Sequence, residues 1–162
     1  MFIEAHNVVG FSGNIWFFCA FFAWCLAQLI KMLLAFIKTR RVNIHYLIST
    51  GGMPSAHSAT VAALATAIGI TEGFETPLFA FALVYAIITM FDASTVRRAA
   101  GQQAAVLNEI IRELFKEHKL YNRRLKELLG HTRVEVYMGM LLGIAFSSAV
   151  CIIWINRQNG IL

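Results

Sequence analysis

The chain has 162 residues, of which 58 % are hydrophobic and 14 % charged, with a formal net charge of +5. Soluble domains carry about 25 % charged residues, and the mean hydropathy here is +0.63. These values exclude an ordinary water-exposed domain and point to one domain embedded in lipid.

Four apolar segments follow one another along the chain, and together they predict an all-α integral membrane bundle. The first, 14–36, exceeds the roughly 20 helical residues needed to cross the hydrocarbon and carries Lys31 near its far end. The second, 55–70, is short and rich in Ala and Thr, a composition suited to close helix packing. The third, 77–94, opens on a proline, which the first helical turn tolerates. The fourth, 134–155, is interrupted only by small residues such as Gly139, Gly143 and Ser147. Between the third and fourth lies the one long polar stretch, 95–133. Within it Val106, Leu107, Ile110, Ile111 and Leu114 fall on one stripe at helical spacing, with Asn108, Glu109, Arg112 and Glu113 on the other side. This predicts about four spans plus one amphipathic helix, which would lie on the membrane or pack on the bundle.

Cys19, Cys25 and Cys151 each sit in an apolar run with neither metal-ligand nor CxxC spacing, and read as small lipid-buried side chains. The N-terminal MFIEAHNVV has no basic region before its apolar run, so no cleaved signal peptide is expected.

Charge orients the bundle. Lys38, Arg40 and Arg41 follow the first span, and 95–133 holds nine Lys or Arg against four Glu. The N-terminus has Glu4, the turn after the second span has Glu72 and Glu75, and the C-terminus has Arg157. The positive-inside rule then expects both basic connections in the cytoplasm and both termini outside, with the plasma membrane (the inner membrane in a bacterium) as location. The same geometry gathers Lys31, the 49–60 stretch, Asp92, Arg97, Arg98 and His131 at the cytoplasmic face.

Four groups there are candidates for chemistry. In STGGMPSAHSAT, Gly51 and Gly52 permit close backbone approach, Pro54 and Ser55 start a helix, and His57 sits in its first turn. A helix N-terminus offers N–H donors to an anion, although capping alone would also explain the Ser and Pro. His131 and Glu135 are four apart, so the carboxylate can orient the imidazole as nucleophile or base, with Lys126 nearby. Lys31 and Lys38 are seven apart on one helical face, and Lys31, inside a span, could snorkel or meet a ligand. Asp92 with Arg97 and Arg98 could form an interfacial ion pair, or the carboxylate could hold an arginine on phosphate.

These stretches, with MFDASTVRRAAGQQA and LKELLGHTRVEVYMGMLLGI, resemble the divergent branch of the type 2 phosphatidic acid phosphatase superfamily, relatives of the vanadium haloperoxidases, over about 30–143. The resemblance implies a small, metal-independent membrane phosphatase without cofactor. In it Lys31 and Lys38 bind phosphate, Ser55 and the backbone of the turn at Gly52 and Ala56 hold phosphate oxygens, and His57 protonates the leaving group. His131 would attack phosphorus and form a phosphohistidine, and Glu135 would orient its ring. The chain departs from the family pattern at several points: Lys38 replaces arginine, Ala56 replaces glycine, Glu135 replaces aspartate, and Leu125 stands where an arginine is usual, with Lys126 one place on. Arg97 or Arg98 could supply the missing guanidinium.

The expected partners are membrane lipids and a lipid phosphate or pyrophosphate substrate, with no nucleic acid and with a homo-oligomer possible. The alternative is a non-catalytic protein that binds or transports anionic lipid or phosphate through the same pocket.

Overall fold

The computed structural model describes residues 14–40, 52–114 and 130–160. Among these it holds five helices and no strand: α1 (Ile15–Thr39), α2 (Ala56–Glu72), α3 (Pro77–Ser94), α4 (Val96–Leu114) and α5 (Arg133–Gln158). Their ends follow from local chemistry. Asn14, Ser55, Thr76 and Thr132 cap α1, α2, α3 and α5, each side chain accepting an N–H of the first turn. Thr132 and Glu135 form a reciprocal capping box. Helix α1 stops at Arg40, whose backbone is left-handed with φ 56°.

By length and composition α1, α5 and the run Pro77–Arg112, in which α4 continues α3, can each cross a membrane. Their outer faces expose large apolar side chains such as Phe21, Leu33, Phe81, Ile88 and Leu141, which suits lipid rather than water. Helix α2 has 17 residues and lies at the centre, touching α1, α3 and α5. The chain is therefore a helical membrane bundle, as its composition predicts.

Small residues recurring every four positions hold the bundle together. On α2 the series is Ser55, Ala59, Ala63 and Ala67; on α5 it is Gly139, Gly143, Ser147 and Cys151; on α1 it is Cys19, Ala23 and Ala27, with Lys31 at the next step. All twelve are buried. A Cβ on Gly139 would collide with the Ser55 carbonyl, and one on Gly143 with that of Ala59. The α2 and α5 backbones thus meet nearly face to face, a contact only glycine permits. Further along the seam the Ser147 hydroxyl donates to the Ala63 carbonyl at 2.9 Å. Cys19, Ala67 and Cys151 close it at the far end. On the other flank of α2, Val61, Ala65 and Ile68 pack on Ala82 and Ala86 of α3.

Helix α4 differs in detail from its expected faces. Asn108, expected on the polar side, is buried, whereas Val106, Leu107 and Ile110 are exposed. Its only substantial packing among the described helices is with α3, so the apolar stripe turns away from the bundle.

Candidate functional site

Antiparallel succession brings the end of α1, the start of α2, the end of α3 and the start of α5 to one end of the bundle, and the four-residue series extend into it. Lys31 stands at the next step of the α1 series and is only 4 % exposed. Ser55 begins the α2 series. On α5, stepping back four from Gly139 reaches Glu135, and four more reaches His131. The spacing that packs the seam also delivers polar side chains to its end.

His131 lies just before Thr132, the residue that caps α5, and not on the helix itself. The ring still reaches Glu135: Nδ1 and Oε2 are 3.0 Å apart. The same carboxylate oxygen accepts the Thr132 N–H at 3.0 Å, so the capping box fixes the acid that orients the imidazole. With Nδ1–H donating to the carboxylate, Nε2 carries the ring's lone pair. The histidine is anchored a second time, its backbone N–H donating to the Ala93 carbonyl at the end of α3, 3.1 Å away. Its residue exposure is 2 %.

His57, the second residue of α2, faces this ring. The two ring centroids are 6.4 Å apart with an interplanar angle of 65°. Between α2 and α5 the Ser55 N–H donates to the Glu135 carbonyl at 3.0 Å, which locks the two helix starts in register.

Lys31 approaches from α1. Its aliphatic stem runs under Gly52, where a Cβ would lie 3.4 Å from its Cγ. Gly52 has φ +93°, a backbone that side chains with a Cβ rarely adopt, so glycine serves both the turn and the close approach. The Glu135 carboxylate acts electrostatically on the Lys31 ammonium. Burying an ammonium is costly unless an opposite charge or ligand compensates, which makes Lys31 part of the same polar cluster.

The remaining sequence candidates divide. The Ser55 Oγ accepts from the Ser58 N–H at 3.4 Å and the Ser58 hydroxyl at 3.0 Å; it is fully buried and caps its helix. Because the Ser55 N–H serves Glu135, the donors an anion would meet belong to the following residues of the first turn. Ala56 is buried against Ala27 and Ala59 and packs the helices. Asp92 is half-buried one residue before the Ala93 carbonyl, whereas Lys38 and Arg98 are exposed. Lys38 departs from Lys31 because α1 continues beyond the packed seam. Lys126 and the Arg97 side chain lie outside the described residues. No group of three or more His, Cys, Asp or Glu among the described residues could hold a metal ion.

Sequence reading missed the Ala93 carbonyl, which positions His131 through backbone alone and so leaves no trace in side-chain type. It also passed over the seam, although the spacing Gly139, Gly143, Ser147 against Ser55, Ala59, Ala63 is a visible signal.

Comparison with known proteins gives a family match. The model described as "Divergent PAP2 family" matches residues 12–146. The chain is 43 % identical to the uncharacterized membrane protein YuiD of Bacillus subtilis, covering 73 % of this chain and 82 % of that protein. No solved structure matches.

Proposed function

The chain belongs to the divergent PAP2 family, and from that premise we propose that it is a metal-independent membrane phosphatase that hydrolyses a lipid phosphate or pyrophosphate. The observation carrying this reading is the pair His57 and His131, whose ring centroids are 6.4 Å apart, with Glu135 on the Nδ1 of His131. In the proposed reaction the His131 Nε2 lone pair attacks phosphorus as the bond to the lipid oxygen breaks. The protonated His57 gives its proton to the departing oxygen, which leaves as the alcohol or lipid monophosphate. Water then attacks the phosphohistidine, the now neutral His57 takes its proton, and the P–N bond breaks to release inorganic phosphate. Lys31 and the start of α2 offset the negative charge that the phosphoryl oxygens carry throughout. Charge asymmetry supports a cytoplasmic location for this face, in the plasma membrane.

The test is inorganic phosphate release by the purified full chain from a panel of phosphatidate, lysophosphatidate and polyprenyl diphosphate in detergent. Turnover that disappears in His131→Ala is expected; equal turnover in wild type and His131→Ala would overturn the proposal. A second reading, anionic-lipid binding without turnover, is favoured by the exposure of Lys38 and Arg98, two of the cations expected at the phosphate. It predicts saturable lipid binding, sensitive to Lys31→Ala, with no phosphate released from any substrate.

A further inference from the structure

A cavity lies on the flank of the bundle between α3 and α5. It has a volume of about 340 Å³ and is lined by Ile87, Met90 and Phe91 of α3 and by Val136, Tyr137 and Met140 of α5, with Arg133 at one end beside Ser94 and Thr95. At 100° per residue, its lining lies roughly 100° around each helix from the residues turned inward, Ala82, Ala86 and Ala93 on α3 and Gly139 and Gly143 on α5. Neither candidate histidine lines it. The cavity is therefore distinct from the candidate active site and opens where the bundle faces lipid.

Its chemistry is graded along its length. From Arg133 to Met140 is seven residues, about 10 Å of helix, running from a guanidinium to an apolar floor. Tyr137 lies one turn below Arg133, at the depth where an amphipathic ring suits the membrane interface. Arg133 occupies the first helical position of α5, where a cation opposes the helix dipole. No acidic side chain among the described residues pairs with it. A cation that the helix disfavours, at the mouth of an apolar groove and at interface level, is complementary to one class of occupant: an amphiphile with an anionic head.

We propose that the α3–α5 groove binds an anionic membrane phospholipid that is not the substrate, one acyl chain lying along the groove and the head-group phosphate on the Arg133 guanidinium. Such a lipid would bridge the two helices whose ends meet in the hydrogen bond from the His131 N–H to the Ala93 carbonyl, beside the candidate active site.

Native mass spectrometry of the full chain, titrated with dioleoyl phosphatidylglycerol or dioleoyl phosphatidylcholine, tests this. A saturable phosphatidylglycerol adduct is expected, with Arg133→Gln weakening it about fivefold, as for one basic residue at an anionic surface. The charge-matched Arg40→Gln should leave it unchanged, and Met140→Trp, which fills the groove, should weaken it. His131→Ala should retain the adduct, so the result is independent of whether the protein hydrolyses anything. Equal binding of the two lipids, equal behaviour of Arg133→Gln and Arg40→Gln, displacement by inorganic phosphate, or loss in His131→Ala would each overturn the proposal. Should Arg133→Gln fail to fold, the wild-type melting temperature decides. Phosphatidylglycerol must raise it more than phosphatidylcholine does.

Discussion

The two ends of the α2–α5 seam are built from one repeating pattern and do different things. At the far end the series finishes in Ala67 and Cys151, packed with Cys19 of α1, and the nearby Trp16 indole donates to the Thr71 hydroxyl at 2.7 Å. At the near end the same series run into Lys31, Ser55, Glu135 and His131, with Glu135 bonded to the His131 ring and to the Ser55 N–H and acting electrostatically on Lys31, although lipid penalises every polar atom left unsatisfied. The far end is closed by apolar packing and one side-chain hydrogen bond. The near end keeps an ammonium, a carboxylate and two imidazoles together, where the proposed function would seat a phosphate group. The difference teaches that the small-residue seam is what allows the polar cluster to form, because backbones this close bring side chains from three helices to one end of the bundle.

Substitutions at the two ends should separate these roles. His131→Ala should lower phosphate release by at least about 10³-fold, the scale of losing a nucleophile, while Cys151→Ala at the far end should leave turnover near wild type. His57→Ala should cost about 10²–10⁴-fold on alkyl phosphates. The loss should shrink for p-nitrophenyl phosphate, whose leaving group needs no proton, and an equal loss on both would remove the acid role.

Glu135→Gln keeps a residue that a capping box accepts but removes the charge that compensates the buried Lys31 ammonium. The melting temperature should therefore drop while the protein still folds, and turnover should fall roughly tenfold or more through poorer orientation of His131. Loss of folding instead would make Glu135 structural. Gly143→Ala, midway along the seam, should destabilise by about 1–3 kcal/mol through the clash with the Ala59 carbonyl, read as a lower melting temperature in detergent. Ser147→Ala should have the smallest effect, about 0.6 kcal/mol for one interhelical hydrogen bond, with turnover unchanged.

Much of this was legible along the chain. The apolar runs 14–36, 55–70, 77–94 and 134–155 agree with α1, α2, α3 and α5 within a few residues. Of the about four spans expected, however, only α1, the run from α3 into α4, and α5 are long and apolar enough to cross a membrane among the described residues, because α2, with 17 residues, is the short central helix. Ser55 as a helix cap and His131 with Glu135 were also readable, since capping and four-residue spacing are local. Harder to read was which lysine enters the site. Lys31 and Lys38 share a helical face, yet burial of the first and exposure of the second depend on where α1 outruns its neighbours.

What the sequence determined by itself is the class of molecule, a basic, all-helical membrane bundle of the divergent PAP2 family, and the short stretches that could meet at one face. The tertiary structure alone decided that His57 and His131 face each other, that Lys31 runs beneath Gly52, and that the Ala93 carbonyl anchors the nucleophile candidate. These distances depend on how closely α2 approaches α5. That approach is set by the absence of side chains at Gly139 and Gly143, and it becomes a distance only when the opposing backbone is in place.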